Sequence, residues 1–355
     1  FWWALPGIAN NVADGMKFLT KEHMPPKNAD RVTYEVAPYI VISTTVLVFA
    51  FIPFGPTLFS ANPDLSLIYL MAIFGIAPLG VFFAGWASNN KYTLVGGMRS
   101  AAQLTAYEIP LLITVLGVAV LSGTLNIIEI VEFQSDTGQG NVWNLFLMPL
   151  GAVLFLTTMI AEVERTPFDM PEAEAELVEG WWTEYGGMRW GLLFASEYLR
   201  SYAACILFAL FFLGGWEFPF EDALIAAPVV GSLFEFLFQA TPHTVWLLLK
   251  AWLMFAFFVW VRASLHRVRT DQILEFGWRY LLPLSVIQLV LAFWLRLGVY
   301  DGSSWPIIVP ALITLVAIVL FVVLVLDEDE EALKDQRRPY HVSEVDKASP
   351  GARID

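Results

Sequence analysis

Between Ala161 and Gly187 the chain reads AEVERTPFDMPEAEAELVEGWWTEYGG, with eight carboxylates, Glu162, Glu164, Asp169, Glu172, Glu174, Glu176, Glu179 and Glu184, set between two long apolar runs. Glu108 and Glu197 lie inside apolar runs themselves. A charge at bilayer depth costs roughly 2.5–3.5 kcal/mol on insertion scales, so acids placed there point to work or to a partner. Buried carboxyls without a full counter-charge take up and release protons near neutral pH, and a row of them makes a proton path. Glu108, Glu162 and Glu197 are therefore the candidate proton-carrying residues. A blander reading stands beside this one: Glu197 pairs with Arg200 at i,i+3, and Glu108 caps a hydrogen bond between helices.

The elements that must hold these acids follow from composition. With 57% hydrophobic and 15% charged residues over 355 positions, and a mean hydropathy of +0.62, the chain is too apolar for a water-soluble domain, which carries about 25% charged residues. It reads as an all-α integral membrane protein. Apolar runs near the ~20 residues needed to cross a bilayer fall at about 38–59, 65–86, 100–122, 143–161, 190–215, 242–262, 280–298 and 305–326, which gives about eight transmembrane helices. Long apolar runs without period-2 alternation satisfy their backbone in lipid only as helices. Ahead of them, Ile8, Val12, Met16 and Leu19 recur at helical spacing beside Asn, Asp and Lys, the pattern of an amphipathic helix in the membrane interface. The expected organisation is an amphipathic helix and linker over 1–34, a helical bundle over 35–326 with an acidic loop at 162–189, and a polar acidic tail over 327–355.

Lys and Arg set the orientation. They cluster before the first span (Lys17, Lys21, Lys27, Arg31), between the second and third (Lys91, Arg99), around the acidic loop (Arg165, Arg189), between the sixth and seventh (Arg262, Arg267, Arg269, Arg279) and in the tail, whereas 60–64, 123–142 and 216–241 contain none. The acidic loop and the tail are thus expected on the cytoplasmic side of a prokaryotic plasma membrane. Apart from these clusters, only Arg200, Lys250 and Arg296 fall within spans or at their ends.

Other chemistries find little support. The formal charge of −14 suits neither nucleic acid nor anionic lipid surfaces as a partner of the loops, although the spans require membrane lipid. A single Cys205 and four scattered His residues give no disulfide, metal or iron–sulfur ligand spacing, and no P-loop or dinucleotide fingerprint occurs. Any redox centre is expected in another subunit. GWASNNKYTLVGGMRSAAQ and VRASLHRVRTDQILEFGWRY are turn-rich or basic connections suited to docking, the second equally to a topology anchor. Trp86, Trp143, Trp181, Trp182 and Trp305 are expected as interfacial anchors, Trp181 and Trp182 alternatively as the lining of a cavity.

The acidic run PFDMPEAEAELVEGWWTEYGGMRWG followed by SEY, together with ADGMKFLTKE and ADR, GWASNNKYTLVGGMRSAAQ leading to YE, LGG after the fifth span, and RASLHRVRTDQ with GWRYLLPL, resembles the H-subunit family of NADH-quinone oxidoreductases over roughly residues 10–298. The resemblance implies a membrane subunit of respiratory complex I. Such a subunit meets peripheral-arm subunits carrying the terminal iron–sulfur cluster, adjoins antiporter-like and small membrane subunits, and walls a tunnel whose substrate is quinone. By matching motif it implies that Glu108 (YE), Glu162 (AE) and Glu197 (SEY) are proton-path acids. Asp14 (ADG), Glu164, Arg165, Asp169, Glu172, Glu174, Glu176, Glu179 and Glu184 form the quinone-side acidic set. The family's first membrane helix is expected to be missing from this sequence, and His266 and Thr270 stand where the family more often has Pro and Tyr. Two rivals are a membrane anchor of a proton-pumping hydrogenase and a standalone transporter. The first tends to carry Thr-His-Leu-Glu-Leu where this chain has Ala-Glu-Ala-Glu-Leu, and the second predicts an internal repeat that is not found.

Overall fold

The computed structural model describes residues 6–22, 24–136, 143–171, 177–217 and 242–300, and every described element is helical. In chain order these are α1 (Pro6–Thr20), α2 (Arg31–Phe51), α3 (Ser66–Phe74), α4 (Ala77–Ala87), α5 (Lys91–Ser122), α6 (Ile127–Asp136), α7 (Asn144–Leu147), α8 (Pro149–Glu162), a 3-10 turn (Gly180–Trp182), α9 (Met188–Phe212), α10 (His243–Ser264), α11 (Thr270–Glu275), a π-helical segment (Phe276–Leu281) and α12 (Leu282–Tyr300). Among the described residues six helical stretches are long and apolar enough to cross a membrane, Arg31–Phe51, Ser66–Ala87, Lys91–Ser122, Met188–Phe212, His243–Ser264 and Thr270–Leu297, and Pro149–Glu162 is a shorter apolar one. The eighth expected span, 305–326, and the tail lie outside the described residues.

Helix ends differ from the apolar runs where local chemistry overrides hydropathy. The first span starts at Arg31 rather than near 38, because Asp30 caps it: its carboxylate accepts from Val32 N at 3.3 Å and from Thr33 Oγ1 at 2.7 Å. It stops at Phe51, just before Pro53. The third span starts nine residues earlier than its apolar run, at Lys91, because Asn90 caps it through Tyr92 N at 3.2 Å. The seventh reaches back to Thr270 through the π-helical segment, in which Gly277 closes onto the carbonyl of Ala106 in α5. The second span is broken at Gly75–Ile76, with Pro78 in the first turn of α4, and the fourth is broken at Met148, where Pro149 starts α8.

α5 is the central post. It packs on α4, α8 and α12 and against the 3-10 turn, and 61% of its apolar window is buried against 28% for α10. Glycines permit the closest approaches. A Cβ on Gly85 would meet the backbone of Thr93 and Gly97, and one on Gly96 would meet the backbone of Gly180 and Trp181, so the acidic loop lies directly on α5. The loop is tied to α2 as well. Pro38 cannot donate to the carbonyl of Tyr34, and the hydroxyl of Tyr185 donates to that carbonyl at 3.2 Å, while Tyr34 donates its own hydroxyl to Glu184 O at 2.7 Å and the two rings stack 4.3 Å apart. Trp181 and Trp182 are buried here, so of their two expected roles, interfacial anchor or cavity lining, the structure takes the second for Trp181.

α1 carries Val12, Met16 and Leu19 on an exposed apolar face. It is held to α9 by Phe18 and Trp190, whose rings lie 5.1 Å apart.

Candidate functional site

The site forms where α8 ends. Val163 N donates to Met159 O, Glu164 N to Ala161 O and Arg165 N to Ile160 O, the paired bonds of a Schellman turn. The turn puts its left-handed residue at Glu164, φ 56°, a position glycine usually fills and one that costs a side-chain residue about 1–2 kcal/mol. The strain aims Glu164 inward. Its carboxylate accepts a hydrogen bond from Ser100 of α5, and the residue is 5% exposed. Burial pushes the acid up to about 7, against the opposing pull of the Ser100 hydrogen bond and the Arg200 charge, with the charges of Glu197 and Asp169 adding to the rise.

Two arginines cross between this turn and α9. Arg200 reaches Glu162 Oε1 at 3.1 Å, with both side chains buried, and its guanidinium lies 5.3 Å over the ring of Phe74. Arg165 pairs with Glu197 at 3.0 Å and lies 4.2 Å over the ring of Tyr198. The i,i+3 pairing of Glu197 with Arg200 is therefore not the one adopted: each of these α9 residues takes its partner from the turn at 162–165. Gln103 of α5 braces the turn, donating to Ala161 O at 2.9 Å and to Phe168 O at 2.8 Å.

Glu108 stands on α5 opposite the break in the second span, half-buried, where a Cβ on Gly75 would collide with its carboxylate. The break at Phe74–Gly75 thus lies between Glu108 and Arg200. Electrostatic interaction joins Glu162 to Arg200, Glu108 and Glu164, and Glu197 to Arg165, Asp169, Arg262 and Arg200. Asp169 extends the set outward by pairing with Arg267 at 3.1 Å, beside a backbone bond from Val268 N to Pro167 O at 3.2 Å. Burial raises the Asp169 carboxyl while Arg267 and Arg165 oppose the rise. The basic connection at 265–269 accordingly docks on the acidic loop.

Of the expected site residues, Glu108, Glu162, Glu164, Arg165, Asp169 and Glu197 come together. Glu184 is engaged from the side by Asn90 Nδ2 at 2.7 Å, and Glu179 faces solvent. Asp14 stands apart on α1, exposed and paired with Lys17 at 2.8 Å. Glu172, Glu174 and Glu176 lie outside the described residues. Sequence reading did not single out Ser100 and Gln103 as site residues, and the Glu197 partner that the blander reading offered Arg200 is not the one it takes. The one signal for the first two is a polar residue at 100 and 103, one turn apart on the apolar run that also carries Glu108.

Two carboxylates paired with arginines, a third bonded to a serine and a fourth at a helix break thus form one connected acid set. A sequence profile of the family described as NADH dehydrogenase matches residues 3–293. Proteins named as the H subunit of NADH-quinone oxidoreductase from Geobacillus thermodenitrificans strain NG80-2, Bacillus thuringiensis strain Al Hakam and Bacillus cereus strain AH187 are each 42% identical to this chain over 285 residues, which is 80% of this chain and 79–80% of theirs. With the helical membrane fold, the acid set and this identity, the chain belongs to the H-subunit family of NADH-quinone oxidoreductases.

Proposed function

We propose that this chain walls the quinone tunnel of a proton-translocating complex and couples quinone reduction to proton movement through its buried carboxylates. The electron donor sits in a peripheral-arm partner, and the quinone is the substrate. Glu162, Glu197 and Glu108 carry protons into the membrane arm, while Glu164, Arg165, Asp169, Glu172, Glu174, Glu176, Glu179 and Glu184 form the quinone-side set, with the exposed Asp14 at its outer boundary. One observation carries the reading: Glu162 and Glu197 are each bound to an arginine from across the helix pair, with Glu164 and Glu108 within electrostatic reach of Glu162. A charge change near the loop then redistributes protons along the set rather than at one acid. The names of the relatives favour quinone over the hydrogenase anchor. The acidic loop and tail are read as cytoplasmic from the distribution of Lys and Arg.

The test is quinone-reductase activity and proton pumping of the assembled complex carrying Glu108→Gln or Glu162→Gln. Groups that relay protons in the rate-determining path contribute about 10²–10⁴-fold, so each variant is expected to lose at least about tenfold in coupled turnover. Full retention of both activities in both variants removes these residues from the mechanism.

A further inference from the structure

Between the acidic loop and α9 lies a cavity of about 20 Å³ whose polar walls are Glu164, Ser196, Glu197, Arg200 and Trp181. That is enough for one water molecule, which needs about 10–15 Å³ and two to four polar partners. The polar walls are unusual in one respect. Trp181 is 4% exposed, and its indole Nε1–H is buried without an acceptor among the described residues. An indole N–H can only donate, and leaving a buried donor unmade is costly, so the indole asks for an oxygen where the cavity offers room for one. The ring is also fixed: α5 meets the backbone of Gly180 and Trp181 at Gly96, leaving no space for the loop to settle elsewhere.

We propose that this cavity is a water site in which Trp181 Nε1–H positions one water between Glu164 of the turn and Glu197 of α9. This rests on the reading of the acids as proton carriers, and it names how the loop hands a proton to the helix. The water oxygen takes the proton of a protonated Glu164 as one of its own O–H protons passes to the Glu197 carboxylate. One O–H bond breaks at Glu164, one forms at Glu197 and the water is regenerated; the reverse transfer uses the same path. The charged neighbours that bear on it are Arg200 and Glu197 from α9, Arg165 from the turn, Asp169 and Glu162 on either side and Arg262 from α10, with Ser100 as the donor from α5. Trp181 touches neither acid chemically and is a positioning residue.

The experiment uses the assembled complex in sealed vesicles and compares Trp181→Phe, which keeps the ring and removes the N–H, with Trp182→Phe, which lies outside the cavity. Loss of one hydrogen bond of ordinary strength predicts a fall of about fivefold in coupled turnover for Trp181→Phe. The pH–rate limb belonging to Glu164 moves to higher pH, because the water that Trp181 holds against its carboxylate is no longer fixed to favour the charged form. Trp182→Phe is expected to keep the wild-type rate and profile. Wild-type rate and profile in Trp181→Phe overturn the water site. Glu197→Gln separates the two layers: full coupled activity there defeats the proton-path reading, whereas impairment there beside an unaffected Trp181→Phe defeats the water site alone. Should Trp181→Phe fail to assemble, a structure of the wild-type complex fine enough to show ordered water decides the matter. Water bonded to Trp181 Nε1 and a Glu164 oxygen supports the site, and a cavity filled by apolar atoms overturns it.

Discussion

The C-terminal half of α9 meets buried charge at both of its ends, where Arg200 stands and just past Phe212, and the two ends are built on opposite principles. At the acidic end Glu162 and Arg200 meet through a single oxygen, leaving Glu162 Oε2 buried without a hydrogen-bond partner among the described residues, and Glu164 sits in a strained backbone conformation. About 20 Å along the helix, Lys250 of α10 donates all it has: to Leu213 O at 2.6 Å, Gly215 O at 2.9 Å and Glu217 O at 2.5 Å. The ammonium lies 4.9 Å over the ring of Trp143. Gln134 and Asn144 complete that end, donating to Leu210 O and Phe211 O at 2.9 Å each. Three N–H donors on three carbonyls is a saturated arrangement with nothing left to exchange. A carboxylate pair with an open oxygen can change its protonation without first breaking its frame. The difference separates charge used as a fastening from charge kept available for chemistry.

The sharpest way to break this contrast is at the saturated end. Lys250→Met strands three carbonyls, that of the α9 C-cap Leu213 and those of Gly215 and Glu217 beyond it, at about 1–3 kcal/mol each, and removes the cation that favours a helix C-terminus. The complex carrying it is expected to lose several kcal/mol of stability and to assemble poorly, as read by its thermal unfolding and by the yield of intact complex. Stability within about 0.5 kcal/mol of wild type would show that the cage is incidental and the contrast unfounded.

The acidic end predicts a pH signature in place of a collapse. Burial raises Glu164 from 4.5 to about 7, so the folded protein holds this proton more tightly than the unfolded chain. Its contribution to stability is fully present below about pH 4.5, declines as pH rises through about 7 and is flat above. Glu164→Gln, which keeps an acceptor for Ser100 and loses the charge, is expected to flatten that decline. Thermal unfolding of wild type and variant at pH 5 and pH 8 measures it. Equal pH dependence in the two proteins would place the titration elsewhere in the set.

How much of this was legible in the sequence depends on the range of the interaction. Apolar run length located six of the expected spans as full-length helices and a seventh as the shorter α8, because crossing lipid is a local demand on about 20 residues. The starts of α2 and α5 were hidden because a cap at Asp30 or Asn90 extends a helix through polar residues that a hydropathy window discards. Residue type marked Glu108, Glu162 and Glu197 without any geometry, since an acid in an apolar run is costly wherever it points. Partners were another matter. Spacing along α9 offered Arg200 to Glu197, and only the packing of α9 against the turn at 162–165 shows that Arg165 takes Glu197 and Arg200 takes Glu162. Nor does sequence announce a Schellman turn whose left-handed residue is Glu164 instead of glycine, because the signal that normally reports it is the glycine itself.

Asp14 marks the boundary of the set and gives the smallest expected effect. Motif matching grouped it with the loop acids, yet it stands on α1 with its side chain 58% exposed and its ion pair to Lys17 in open solvent. Exposed pairs of this kind contribute little, about 0–1 kcal/mol, and substitutions away from buried features fall within about 0.5 kcal/mol. Asp14→Asn is therefore expected to leave assembly and the pH dependence of stability unchanged, and to alter coupled turnover by less than about twofold. A tenfold loss of turnover with normal stability would mean that α1 and the loop acids act on the same substrate, and that the functional boundary runs along the exposed face of α1 rather than at the foot of α8.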